Sequence, residues 1–450
     1  MSDTTIRADD LEKILASLAG ANRTVAEQFP GDRTTRQPVH TVYGGAHLFT
    51  ADIARKLGAA ALAALDEYAP APSAFAEALD MRPDLADRIY PRVVEKLTRE
   101  PVEDFRIDFE DGFGNRSDAE EDQHARAAAD QVASGLSAGV LPPGIGIRIK
   151  TLSEELKRRS LRTLDLFVTR LLDRSNGSLP PDFVVTLSKI TSPAQVGALA
   201  SACDALERTR DLPAGTIRIE LMVETSQSIF ADDGRVALPR LVAEGGGRVS
   251  SAHFGTYDYT AGLAVTAAHQ HMLHPACDFA KHVMQVALAG TNVRLSDGAT
   301  NIMPVGPHRR TDQGRLSDSQ RKENANTVHR AWRLHAEHIR HSLVGGFYQG
   351  WDLHPAQLPT RYASVYAFFL EGLDPASERL RNFVAKAAQA TLVGEVFDDA
   401  ATGQGLLNYF LRAMNCGALT EAEAVNLSGL TVEELRGRSF VKILANRRRP

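Results

Sequence analysis

The chain has 450 residues, of which 43% are hydrophobic and 24% charged, the balance of a folded protein with a sizeable core. Its formal net charge of −5 offers no broad cationic surface, which excludes nucleic acid as a partner despite the basic end Asn446-Arg447-Arg448-Arg449-Pro450. Cys203, Cys277 and Cys416 stand far apart without CxxC spacing, and no apolar run reaches membrane-spanning length, so the expectation is a cytoplasmic protein without disulfides, structural zinc or a membrane partner.

Residues 1–39 read as a helical prelude with a polar link. From residue 40 to 385, short apolar or β-branched runs alternate with long amphipathic stretches. The runs predict strands at His40–Gly45, Phe105–Glu110, Gly146–Lys150, Phe183–Ile190, Ile217–Glu224, Val249–Phe254, Asn292–Ser296 and Gly346–Asp352. Helical patterns cover Ala51–Glu67, Ala119–Leu136, Ser153–Leu172, Pro193–Arg208, Pro275–Leu288, Ser317–Leu343 and Pro355–Leu370, and the polar stretch 308–325 reads as a surface loop. Strict alternation in this number predicts an α/β fold, a (β/α)8 TIM barrel. An open doubly wound sheet is the competing architecture, but no GxGxxG follows the first strand and no GxxxxGK[ST] occurs anywhere. Residues 386–450, helical in pattern and rich in small residues, predict a separate helical cap.

A barrel of this kind carries its chemistry at the C-terminal ends of the strands. There the chain places Asp108, Glu110 and Asp111, then Arg148, Lys189, Glu224, Asp258 and Asp352. Glu224 and Asp258 end strongly apolar strands, and two hard carboxylates with room left for water and substrate oxygens suit Mg²⁺ or Mn²⁺. Each acid taken singly could instead cap the following helix. Arg148 can grip a substrate carboxylate with two parallel hydrogen bonds, or form an ion pair with Glu110 or Asp111. Lys189 joins the substrate-binding set; as a Schiff base it would replace the metal in stabilising an enolate. His47 follows strand one in the glycine-containing loop VYGGAHLF and is a candidate general base, as are Asp398 and Asp399 of the cap. His269, His271 and His274 lie outside the strand-end set, while His335, His338 and His341 share a helix face with arginines that reads as solvated or subunit-facing.

The ordered segments IDFEDG, IRIK, LSKI, MVET, FGTYD and DLHPAQ, spanning roughly residues 100–360, resemble the citrate lyase β-subunit and malyl-CoA lyase family of the HpcH/HpaI aldolase superfamily. The resemblance implies that Glu224 and Asp258 hold Mg²⁺, that Arg148 binds the substrate's carboxylate or oxo group, and that Glu110 and Asp111 lie around the metal beyond its direct ligands. IRIK stands where that family usually has Arg-Val-Asn, and WDLHPAQLPTRYASVYAFF is similar to a segment of malate synthases. The expected function is a Mg²⁺-dependent carbon–carbon lyase or aldolase. It would act on a small 2-oxo or 2-hydroxy acid, free or as a coenzyme A thioester, through an enolate, with Arg148, His47 and Asp111 as catalytic residues in a homo-oligomer. Malate synthase-like condensation, thioester hydrolysis, and a barrel without activity are the alternatives.

Overall fold

The computed structural model describes residues 5–31, 35–309, 315–385, 391–393, 396–398 and 400–447. Eight parallel strands, β1 (His40–Gly45), β2 (Asp104–Asp108), β3 (Gly144–Ile149), β4 (Val184–Leu187), β5 (Arg218–Val223), β6 (Val249–Phe254), β7 (Arg294–Ser296) and β8 (Gly350–Asp352), pair in the order β7-β6-β5-β4-β3-β2-β1-β8. A parallel bridge between Ala299 and Trp351 closes the ring just beyond β7, so the sheet is a TIM barrel.

Side-chain alternation along the strands makes two cores. In IGIRI and IELMVE, Ile145, Ile147 and Ile149, and Ile219, Leu221 and Val223, point outward and are buried under the surrounding helices. The alternate positions point to the axis and carry charge. Arg106 of β2 reaches across to Glu220 of β5 while Tyr43 of β1 reaches Glu220 and His253. The same period of two puts Arg148 one inward step past the level of Arg106, and Glu224 two past Glu220, nearer the C-terminal end.

The helices differ from expectation chiefly after β1, β5 and β6. Between β1 and β2 lie three helices, Ile53–Tyr68, Pro72–Leu79 and Pro83–Arg99, where periodicity predicted one. After β5 and β6 come short helices at Ser226–Ile229, Leu238–Glu244 and Thr256–Gly262, too brief to repeat an amphipathic pattern. Where the loop 308–325 and the helix Ser317–Leu343 were both expected, the helix holds: Ser317 and Gln320 form a capping box, and the helix Asp318–Val344 begins there.

The described C-terminal helices, Ala400–Cys416 onward, dock at the N-terminal ends of the strands. Gln37, just before β1, exchanges backbone bonds with the Asn415 amide and its side chain accepts from Arg412 at 2.6 Å. Arg92 pairs with Glu423 at 2.8 Å, and Phe383 stacks on Phe440.

Candidate active site at the C-terminal rim

The loop after β2 is organised by Asp108, which the sequence left without a role. Its carboxylate accepts from the amides of Glu110 (2.9 Å) and Gly112 (2.7 Å), folding the FEDG loop back over the strand end. A Cβ on Gly112 would sit 2.6 Å from that carboxylate, and one on Gly45 would lie 2.3 Å from the Gly112 carbonyl, so both glycines are dictated by close approach.

The same Asp108 takes the fork of Arg148, through Nε at 2.7 Å and through Nη2. The guanidinium lies over the Tyr43 ring at 4.9 Å and the Trp351 ring at 5.5 Å. Only Nη1 turns toward the rim, 3.3 Å from Glu110 and 3.7 Å from Asp111. The ion pair weighed from sequence therefore exists, but its main partner is Asp108 two and three residues before the expected ones. Buried among these acids, Arg148 stays positive at every accessible pH.

Lys189 is the hub of the rim. It follows β4 in a left-handed conformation (φ 49°), which a non-glycine residue adopts only where its surroundings hold it. That turn aims its amide at Glu224 Oε1 (2.6 Å) and its ammonium at Glu110, Asp111 (3.1 Å) and Asp258 (3.3 Å). Burial disfavours the ammonium, but Glu110, Glu224 and Asp111 outweigh it and raise the Lys189 pKa. A neutral amine, as a Schiff base requires, is thus opposed by the surroundings.

Five carboxyls (Asp108, Glu110, Asp111, Glu224, Asp258) share two cations, Arg148 and Lys189. The cost falls on Glu224: burial first, then the charge of Asp258, push its pKa up to about 8 despite Lys189. Glu110 is likewise pushed up, chiefly by burial, whereas Asp111, more exposed, is held low by Glu110, Arg148 and Lys189 against its desolvation. Gly255 leaves the room Glu224 occupies, since a Cβ there would lie 2.5 Å from its Oε2. Among the described residues no three acids, histidines or cysteines already converge as a closed cation cage. The donor set nevertheless fits a hard dication. Asp258 meets the Lys189 ammonium and Glu224 the Lys189 amide, and Glu224, pushed up to about 8, lacks a positive partner of its own.

His47 lies apart from this group, packed beside Phe113 and His124. Its Nδ1 is buried without a hydrogen-bond partner, and burial, Arg116 and His124 lower its pKa, so it is neutral near pH 7. Asp399 and the side chain of Asp398 lie outside the described residues. The solvated histidine face is corrected for two of its members: His335 and His338 are buried, each within 2.9 Å of Thr300, and His335 also meets Asp352 at 3.0 Å. Asp352 itself receives His40 (2.7 Å) and the Arg361 fork (2.9 Å and 3.1 Å), so the DLHPAQ segment works as a bolt across β8 and β1. His354 and Gln357 there cap a helical turn.

The chain belongs to the family described as a domain of unknown function (DUF6986), which matches residues 18–443. No curated protein matches it by sequence. Among solved structures, a citrate lyase from Burkholderia xenovorans LB400 is similar at 17% identity and a TM-score of 0.54, over 87% of this chain and 96% of that one, which shows a shared fold. Also similar are protein CitE from Mycobacterium tuberculosis, solved with magnesium, acetoacetate and coenzyme A (14%, 0.46, 85% and 99%), and a malate synthase from Haloferax volcanii in a lead(II) complex (15%, 0.46, 92% and 98%). No described helix is long and apolar enough to cross a membrane.

Proposed function

We propose that this member of the family is a divalent-cation-dependent carbon–carbon lyase of the aldolase type, acting on a small 2-oxo or 2-hydroxy acid. The observation that carries the reading is the unbalanced rim, where five carboxyls face two cations and Glu224 is left near a pKa of 8. Structural ion pairs have no reason to leave such an excess, and perturbed acids in one cleft are the usual mark of a reaction site. Glu224 and Asp258 would hold Mg²⁺ or Mn²⁺, which when bound polarises a substrate oxygen and stabilises negative charge on it.

The chain's own groups divide the remaining work. Arg148 presents one edge, Nη1, to an anionic substrate while Asp108, Tyr43 and Trp351 hold the rest of the guanidinium still. Lys189 supplies the second positive charge at the mouth. Glu110, raised, and Asp111, lowered, form an acid–base pair from adjacent residues, and Asp111, exposed and ionised, is the group that takes the substrate's hydroxyl proton. His47, neutral but turned toward Phe113, is the lesser candidate. A soluble small acid, free or as a coenzyme A thioester, is the substrate class these charges fit.

The test is release of a 2-oxo acid from candidate hydroxy-oxo acids, run with and without Mg²⁺ and with and without coenzyme A esters. Cleavage that needs Mg²⁺ and is lost in Asp258→Asn supports the assignment. Cleavage indifferent to chelator would remove the cation from the reading, and trapping of Lys189 by borohydride would replace it with Schiff-base chemistry.

A further inference from the structure

The helix Ala8–Gln28 stands away from the barrel with none of its residues buried. Its apolar positions follow a rule the barrel does not use. Leu11, Leu15, Leu18, Asn22 and Val25 succeed one another at intervals of four, three, four and three, a heptad seam, and its four large apolar members are 41–56% exposed. Asp9, Asp10, Lys13, Arg23 and Glu27 all fall on the opposite face. An isolated helix of this length is marginal in water, and most helical stability comes from a covered apolar face.

We propose that this helix pairs, parallel and in register, with the same helix of a second copy of the chain. Asn22 selects the partner. In a stripe of leucines its amide needs a polar mate, and only in-register pairing with itself brings Asn22 opposite Asn22. Register also sets Arg7 of one copy beside Glu12 of the other at the flanks of the seam. A lipid surface is the wrong occupant, because Asp9, Asp10, Glu12 and Glu27 outnumber Arg7, Lys13 and Arg23 and the polar face is not basic. The helix leads through Phe29 to Gly31, whose amide donates to the Gly290 carbonyl before β7, so pairing joins two barrels at their N-terminal ends and leaves both reactive rims open.

The full chain should sediment as a dimer at low micromolar concentration, and Leu15→Glu with Leu18→Glu should shift it to monomer with unchanged melting temperature, since neither side chain touches the barrel. Asn22→Cys should cross-link two chains on mild oxidation, a clean readout because the three native cysteines are buried. A monomeric wild type, a dimer that survives the double glutamate variant, or a dimer in which Asn22→Cys fails to cross-link would each overturn the proposal. So would binding of the monomer to anionic phospholipid vesicles through this face.

Discussion

Two sets of buried charge lie within a few residues of each other and behave in opposite ways. Deep in the barrel, Arg106 is matched by Asp104 and Glu220, and at the β8–β1 seam Asp352 is matched by Arg361, His40 and His335. Each carboxylate there touches a guanidinium directly; Glu220 stays ionised, its pKa held at about 2, because Arg106 overcomes its burial. At the rim the same residue types are left in acidic excess, and Glu224 drifts to about 8. Acids held directly by a guanidinium build the scaffold, whereas Glu224 and Asp258 at the rim have only Lys189 to answer them.

The comparison is broken most easily from its balanced side. Asp352→Asn leaves the Arg361 fork and two histidines in a fully buried site without their anion, so it should cost about 3–5 kcal/mol of stability, read as a large fall in denaturation midpoint. Glu224→Gln should do the reverse. It replaces a carboxyl that is mostly protonated at neutral pH without cation, so the melting temperature should hold or rise while cation-dependent turnover is abolished. If both variants destabilise equally, the rim is scaffold and the contrast fails.

Arg148→Lys sits between the two regimes. Lysine keeps the charge but cannot span both Asp108 oxygens and still turn an edge to the rim, so kcat/KM should fall at least about tenfold, or about 1.4 kcal/mol, with a moderate loss in melting temperature. A fall in melting temperature with unchanged kcat/KM would make Arg148 purely a rim brace. Smaller still, His47→Gln should change kcat by less than about threefold, whereas Asp111→Asn should cost two orders of magnitude or more, about 10²-fold, if Asp111 takes the proton. The opposite ranking in steady-state assays would exchange their roles.

The strands were legible because each is a short apolar or β-branched run, most with a charged residue at or just past its end, and all eight fall where that pattern predicts. The three helices after β1 were not, since Ile53–Tyr68, Pro72–Leu79 and Pro83–Arg99 are separated by one or two prolines and a turn and their periods blend. In the candidate site, sequence supplied the acids but not their geometry. Which of Asp108, Glu110 and Asp111 faces Arg148 depends on a loop folded over Asp108, and no local spacing encodes that. The burial of His335 and His338 was hidden for a related reason. Arginines on the same helix suggested solvent, while the partners Thr300 and Asp352 come from distant segments. Tyr43 and Trp351 stand inside VYGGAHLF and WDLHPAQ, but nothing in either segment's spacing points them at Arg148 as its aromatic bed.

The central claim, that Glu224 and Asp258 await a dication, has a direct thermodynamic signature. The folded protein without cation holds a proton on Glu224 up to about pH 8, which the unfolded chain has lost above about 4.5, so stability from this group falls as pH rises through that window. Binding of Mg²⁺ must expel that proton, so affinity should rise by up to about tenfold per pH unit below pH 8. Calorimetric titration with Mg²⁺ at neutral pH, in buffers of different ionisation enthalpy, counts the protons released. The account predicts close to one proton per bound ion in the parent chain and none in Glu224→Gln; binding without proton release, or the same release from both proteins, would contradict it.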